Sequence, residues 1–279
     1  MNKTGATAHS PSGSRFLVLL TALLQIVTPA LPGLGFGEPI GSQSDAVRTL
    51  ITPAGWAFSI WGALYTGSLV FAVYQLLASN RDNRLLRQIR MPAAGAFLGN
   101  AAWAAYVQLY GLSFVSTIII VFTLLNLLAI LARLAAWDEG FTVGDRWCIV
   151  LPLCALSSWL TTATIVNLAA SLRFHGVDAG PAAPVIAGAI VIAGGIIAAQ
   201  ALLRTQGNPP FAVVFLWALG AIFAAGGQRE GIVAAAVVIA AVLVLLATIR
   251  GLRNGGMAHY FGGSSSLAAD GARAATVRR

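Results

Sequence analysis

The sequence predicts an all-α integral membrane protein, a bundle of about eight transmembrane helices. Three observations carry that expectation. Hydrophobic residues make up 58% of the chain and charged residues 9%, with a mean hydropathy of +0.81; a soluble domain averages about 25% charged residues. Eight apolar runs are long enough to cross a bilayer, which takes roughly 20 residues each. The basic residues fall in alternate loops, as the positive-inside tendency requires.

The runs lie near residues 15–35, 53–78, 91–110, 113–136, 147–171, 182–203, 209–226 and 231–250. The first follows Lys3 and Arg15 but lacks a small-residue cleavage site, so it reads as a retained span. Pro29, Pro32, Gly33 and Gly35 should break its outer end and open a long loop reaching Pro53, long enough to lie over a ligand mouth. Pro209 and Pro210 open the short seventh run. Residues 1–14 read as a cytoplasmic N-terminal segment. Residues 254–279, rich in Gly, Ser and Ala, read as a disordered cytoplasmic tail.

Charge gives the orientation. Lys3, Arg15, Arg81, Arg84, Arg87, Arg90, Arg133, Arg146, Arg204, Arg250, Arg253, Arg273, Arg278 and Arg279 fall on one side, fourteen in all, against Arg48, Arg173 and Arg229 on the other. Both termini are therefore expected in the cytoplasm of a bacterial inner membrane. The net charge of +8 is topology and lipid contact rather than a nucleic-acid footprint, because no folded basic domain gathers it.

The spans also exclude. No Asp or Glu lies well inside any of them, which argues against a proton- or sodium-coupled carrier with a mid-membrane carboxylate. His9, His175 and His259 lie outside the runs, so no metal cluster is expected. Cys148 and Cys154, six apart in one helix, are separated by about 9 Å and cannot pair while helical. With no nucleophile beside a base and no cofactor loop, the expectation is a protein without catalytic residues or a bound cofactor, not an enzyme.

What remains is uncharged polarity among aromatic rings. In the second run Gly55, Ser59, Ala63 and Gly67 form a small-residue stripe that would let another helix approach. Phe58, Trp61 and Tyr65 fall on the opposite face, with Trp56 nearer the stripe. Asn100, Trp103 and Val107 share a face of the third run, and Trp159, Thr162 and Asn167 a face of the fifth. Each ring could serve only packing or interface anchoring. Together, three helices that each offer a Trp beside a polar partner describe an apolar pocket with few orienting groups.

These residues resemble the tryptophan-rich sensory proteins, the translocator protein family also called TspO/MBR or peripheral benzodiazepine receptor-like. The resemblance rests on Pro53 and Trp56 followed by Trp-Gly-Ala-Leu-Tyr from Trp61 to Tyr65, on Asn100 with Trp103, on Trp159 with Asn167, and on the long outer loop. It covers residues 15–172, a five-helix unit. The chain departs from the pattern at Ala101, where the family has a first Trp, and at Pro152, seven positions before Trp159 in place of an adjacent Pro-Tyr. The helices of residues 181–250 fall outside the five-helix pattern and look like a C-terminal extension of longer bacterial members. They are expected to brace the unit or to form an oligomer face, such as that of a homodimer.

The resemblance implies binding of a tetrapyrrole or similar flat amphiphilic ligand inside the bundle. It points to Trp61, Trp103, Trp159 and Asn167 as ligand-binding residues, with Tyr65 and Asn100 in support. Arg48 and Arg173 at the outer rim are candidates to pair with porphyrin propionates, and His175 could reach a metalloporphyrin. The alternative is a secondary transporter of another small amphiphile. The expected partners are that ligand and membrane lipid, with no nucleic acid.

Overall fold

The computed structural model describes residues 11–262, and among these it contains helices and no strand. Helix α1 (Pro11–Val27) tightens into a 3-10 turn at Thr28–Leu34 and stops at Gly35, whose φ of 85° is left-handed. The prolines and glycines that predict this break do produce it. The outer loop then contains a short helix, α2 (Ile40–Ala46). A 3-10 turn at Gly55–Ser59 leads into α3 (Ile60–Tyr74).

Helix α4 (Arg84–Tyr110) starts on Asn83, whose side chain accepts from the Leu86 N–H at 3.0 Å. Helix α5 (Phe114–Ala135) is capped in the same way by Ser113. The single turn α6 (Val143–Asp145) begins with a capping box between Thr142 and Asp145 and runs through a π turn into α7 (Leu151–Phe174). Three further long helices follow: α8 (Ala183–Arg204), α9 (Pro209–Ile222) and α10 (Gly231–Gly251). Pro209 and Pro210 occupy the first turn of α9, where no N–H is needed.

Seven of these helical stretches are long and apolar enough to cross a membrane. The eighth expected span belongs to α4, which is long enough at 27 residues but carries Arg84, Arg87 and Arg90 and a string of Ala, Asn and Gln. The reason is its position. Helix α4 packs against both α1 and α5 and buries residues on most sides, so less of its surface has to suit lipid. Helix α5 in turn meets α7, and α7 meets α9, which makes α7 the most enclosed of the seven.

The last helices are not an appendage. Ser158 of α7 donates to the Phe211 carbonyl of α9 at 2.7 Å. Helices α8 and α10 pack backbone to backbone, and a Cβ placed on Gly195 would sit 2.6 Å from that of Ala240.

Two expectations change. Residues 254–262, read as the start of a disordered tail, are ordered: a π turn leads into α11 (Met257–Phe261), which folds back on the bundle. The Tyr260 hydroxyl donates to the Thr205 carbonyl at 2.6 Å, and a His259 ring nitrogen lies 3.1 Å from the Leu134 carbonyl. Both side chains are buried. Aromatic residues among the glycines supply the apolar contact that composition alone hides. The rest of the tail, residues 263–279, lies outside the described residues, as do residues 1–10 of the N-terminal segment.

The second change concerns arginines read as topology signals. Arg15 and Arg90 are both buried. Arg15 donates to the carbonyls of Gln75, Leu76 and Leu77, closing the end of α3, while Arg90 donates to Gln75 Oε1 and the Asn80 carbonyl. Beyond the topology expected of them, both fasten the segment that follows α3.

Candidate functional site

Trp61 is the hub of an aromatic cluster built from three helices. Its ring stacks on Trp103 of α4, with centroids 6.2 Å apart and planes 27° apart, and meets Trp159 of α7 edge-on at 6.0 Å. Tyr65, one turn further along α3, lies against the other part of Trp61 at 5.1 Å. Phe58 closes the group edge-on to Trp159 at 6.2 Å. Offset and edge-to-face arrangements of this kind are the ones aromatic rings favour.

One polar network orients the cluster. The Trp103 indole N–H donates to Asn167 Oδ1 at 2.9 Å. Asn167 Nδ2 donates in turn to Ser116 Oγ at 2.9 Å and Thr117 Oγ1 at 2.8 Å. The amide thereby ties α4, α5 and α7 together with both its ends occupied. Ser116 and Thr117 escape a sequence reading because hydroxyls in a membrane helix so often bond only to their own turn.

These rings wall a cavity of about 50 Å³. Trp61, Trp103, Trp159 and Asn167 line it, joined by Phe58 and Thr162. From the outer loop come Ile40 and Ser44 of α2 and Pro53, so the loop does lie over the mouth. Every lining side chain is uncharged. A water takes about 10–15 Å³ of such cavity space, so there is room for a few waters, well below the roughly 300 Å³ at which ligand pockets begin.

Three polar groups on the lining residues have no partner: the indole N–H of Trp61, that of Trp159, and the Thr162 hydroxyl, all buried. An unpaired buried donor costs about 1–3 kcal/mol, so this cavity holds an unmet demand for acceptors.

The other sequence candidates lie elsewhere. Asn100 is turned toward α1, where its amide donates to Gln25 Oε1 at 3.1 Å, and it does not line the cavity. Tyr65 supports Trp61 from behind rather than facing the opening. His175 stacks on Phe114 at 4.7 Å, away from the lining. Arg48 pairs with Asp45, and Arg173 pairs with Asp178 at 2.6 Å, so neither guanidinium is free at the rim. The Gly180 N–H, and after it the Arg173 pairing, holds the Asp178 carboxyl below its ordinary range.

Trp56 has a different role from Trp61. It faces outward and meets Trp217 of α9 edge-on at 4.9 Å, while the Trp217 N–H donates to the Ala57 carbonyl at 3.3 Å. The Ala54 N–H donates to the Ala221 carbonyl at 3.0 Å. Gly226 approaches Leu50 so closely that a Cβ there would lie 1.8 Å from the Leu50 oxygen. Helix α9 and the turn after it therefore clamp the outer segment that roofs the cavity.

The small-residue stripe is broken as well. Gly55 and Ser59 belong to the 3-10 turn, and of the stripe's two glycines Gly67 alone is tightly met, by Pro152 at 2.9 Å.

No curated protein and no solved structure matches the chain. A family model described as TSPO-like protein matches residues 15–249. That match runs through α8, α9 and α10, so the helices beyond the five-helix unit belong to the matched pattern. With its helical bundle and its membrane-length apolar helices, the chain belongs to the TSPO-like protein family.

Proposed function

We propose that this multi-pass membrane protein acts as a sensory or translocator-type protein that takes a flat amphiphile of porphyrin type between α3, α4 and α7. The observation that carries this reading is the set of three unpartnered donors on Trp61, Trp159 and Thr162 within a ring of indoles. A planar ring would stack on the indoles, and a carbonyl or other uncharged acceptor would meet the donors. Charged propionates would stay at the outer mouth, because no cation lines the cavity. The lining also lacks any ionisable side chain, so binding is favoured over acid–base or nucleophilic catalysis.

The arginine distribution supports a bacterial inner membrane with both termini in the cytoplasm. Titration of the detergent-solubilised protein with protoporphyrin IX, followed by tryptophan quenching and the Soret band, tests the site. Saturable binding weakened by Trp61→Leu, Trp103→Leu and Trp159→Leu is the expected result. Binding that is absent, or equal in all variants, would overturn the reading and leave gradient-driven uptake into vesicles as the assay for a carrier.

A further inference from the structure

A second concavity, outside the tryptophan cluster, opens on the lipid-facing side between α3, α7 and α9. It has two lobes of about 450 and 540 Å³ that share Trp147, Leu151, Ala155 and Val214, and so form one trough. One lobe follows α3 from Ile60 to Val70, about 15 Å at 1.5 Å per residue. The other reaches Arg146 in the π turn before α7 and the α11 residues Tyr260 and Phe261. The trough exists because its floor is small. Gly62 and Ala63 leave the α3 wall low, and a Cβ on Gly62 would meet nothing within 4 Å.

Its two ends differ in chemistry. The α3 lobe is apolar apart from Thr66. The other end holds a guanidinium: Arg146 donates to the Gly262 carbonyl, while its Nε is buried without a partner. The adjacent carboxylate makes no ion pair with it among the described residues: Asp145 accepts from Thr142 and from the Tyr74 hydroxyl instead. Trp147, 66% exposed, stands beside Arg146 in the position of an interfacial anchor.

We propose that this trough is a lipid site that holds an acyl chain of an anionic glycerophospholipid whose phosphate pairs with Arg146. An apolar channel ending on a cation matches an acyl chain ending on a phosphate, and arginine is well suited to that oxyanion. A helix from a second copy fits less well, because close packing there would bury an unpaired guanidinium, which is costly.

The test is native mass spectrometry of the full chain after exposure to phosphatidylglycerol or to phosphatidylcholine with the same acyl chains. One phosphatidylglycerol should remain bound, preferred by about ten-fold or more. Arg146→Gln should abolish that preference. Ala155→Phe, which fills the shared part of the trough without touching the charge, should remove the adduct of either lipid. Both variants should elute as the wild type does and bind protoporphyrin IX as it does. Equal retention of the two lipids, or retention unchanged by Ala155→Phe, overturns the proposal. So does a shift from dimer to monomer in Ala155→Phe without loss of lipid, which would give the surface to a second copy. Should Arg146→Gln fail to fold, Ala155→Phe and the headgroup comparison decide alone.

Discussion

The Trp103 indole N–H donates to Asn167 Oδ1 across 2.9 Å, and the two residues come from helices 64 positions apart in the chain. That bond aims the Trp103 ring at Trp61, while the other end of the same amide anchors α5 through Ser116 and Thr117. Asn167→Leu should therefore loosen three helices at once. Interhelical hydrogen bonds in membranes contribute about 0.6 kcal/mol on average and up to about 1.7, so a loss of about 1–2 kcal/mol is expected for the set. Denaturant unfolding in mixed micelles checks it. A stability equal to that of the wild type would mean the network is replaceable by packing.

Filling the cavity should separate binding from folding. Ala163 lines the opening and is only partly enclosed. Ala163→Phe is expected to lower protoporphyrin IX affinity by about ten-fold or more, equivalent to about 1.4 kcal/mol, with little change in melting temperature. Unchanged affinity would place the ligand outside the tryptophan cluster.

Gly226 tests the clamp on the outer segment. Its Cα hydrogen faces the Leu50 carbonyl, and any side chain there forces that carbonyl away. Gly226→Val should accelerate amide exchange over residues 47–57, where the Ala54 N–H bond to Ala221 would be strained. Because that segment covers the cavity, ligand association should quicken in the same variant. Exchange that speeds up only in α9 would show the clamp to be unimportant for the roof.

The inner end has its own fastener. Tyr260 donates to the Thr205 carbonyl and accepts from Asn208 Nδ2 at 3.2 Å. Tyr260→Phe keeps the ring but takes the donor from the buried Thr205 carbonyl and leaves Asn208 Nδ2 with Cys154 Sγ alone, a cost of about 1–3 kcal/mol. A lower melting temperature with unaltered protoporphyrin IX affinity is the expected pair of results, since the two sites lie at opposite ends of α7.

Much of this molecule follows from one-dimensional pattern. Runs of apolar residues have to become helices in a bilayer, where every backbone N–H and C=O must be satisfied within its own segment. That these runs become helices is thus a local property, and the proline and glycine signals end α1 where they stand. The three tryptophans and Asn167 were also legible, because a helical period places each on a defined face.

Which faces meet is a different matter, decided by packing among all the helices together. Asn100 and Asn167 look equivalent in the sequence, yet α1 claims the first through Gln25 while the second turns to Trp103. Trp56 and Trp61 are five residues apart, yet one serves the cavity and the other meets Trp217. The narrowness of the cavity and the hold of α9 on its roof depend on side chains far apart in the chain. A helical period gives the direction of a side chain and not its neighbour, and only the tertiary structure supplies that neighbour.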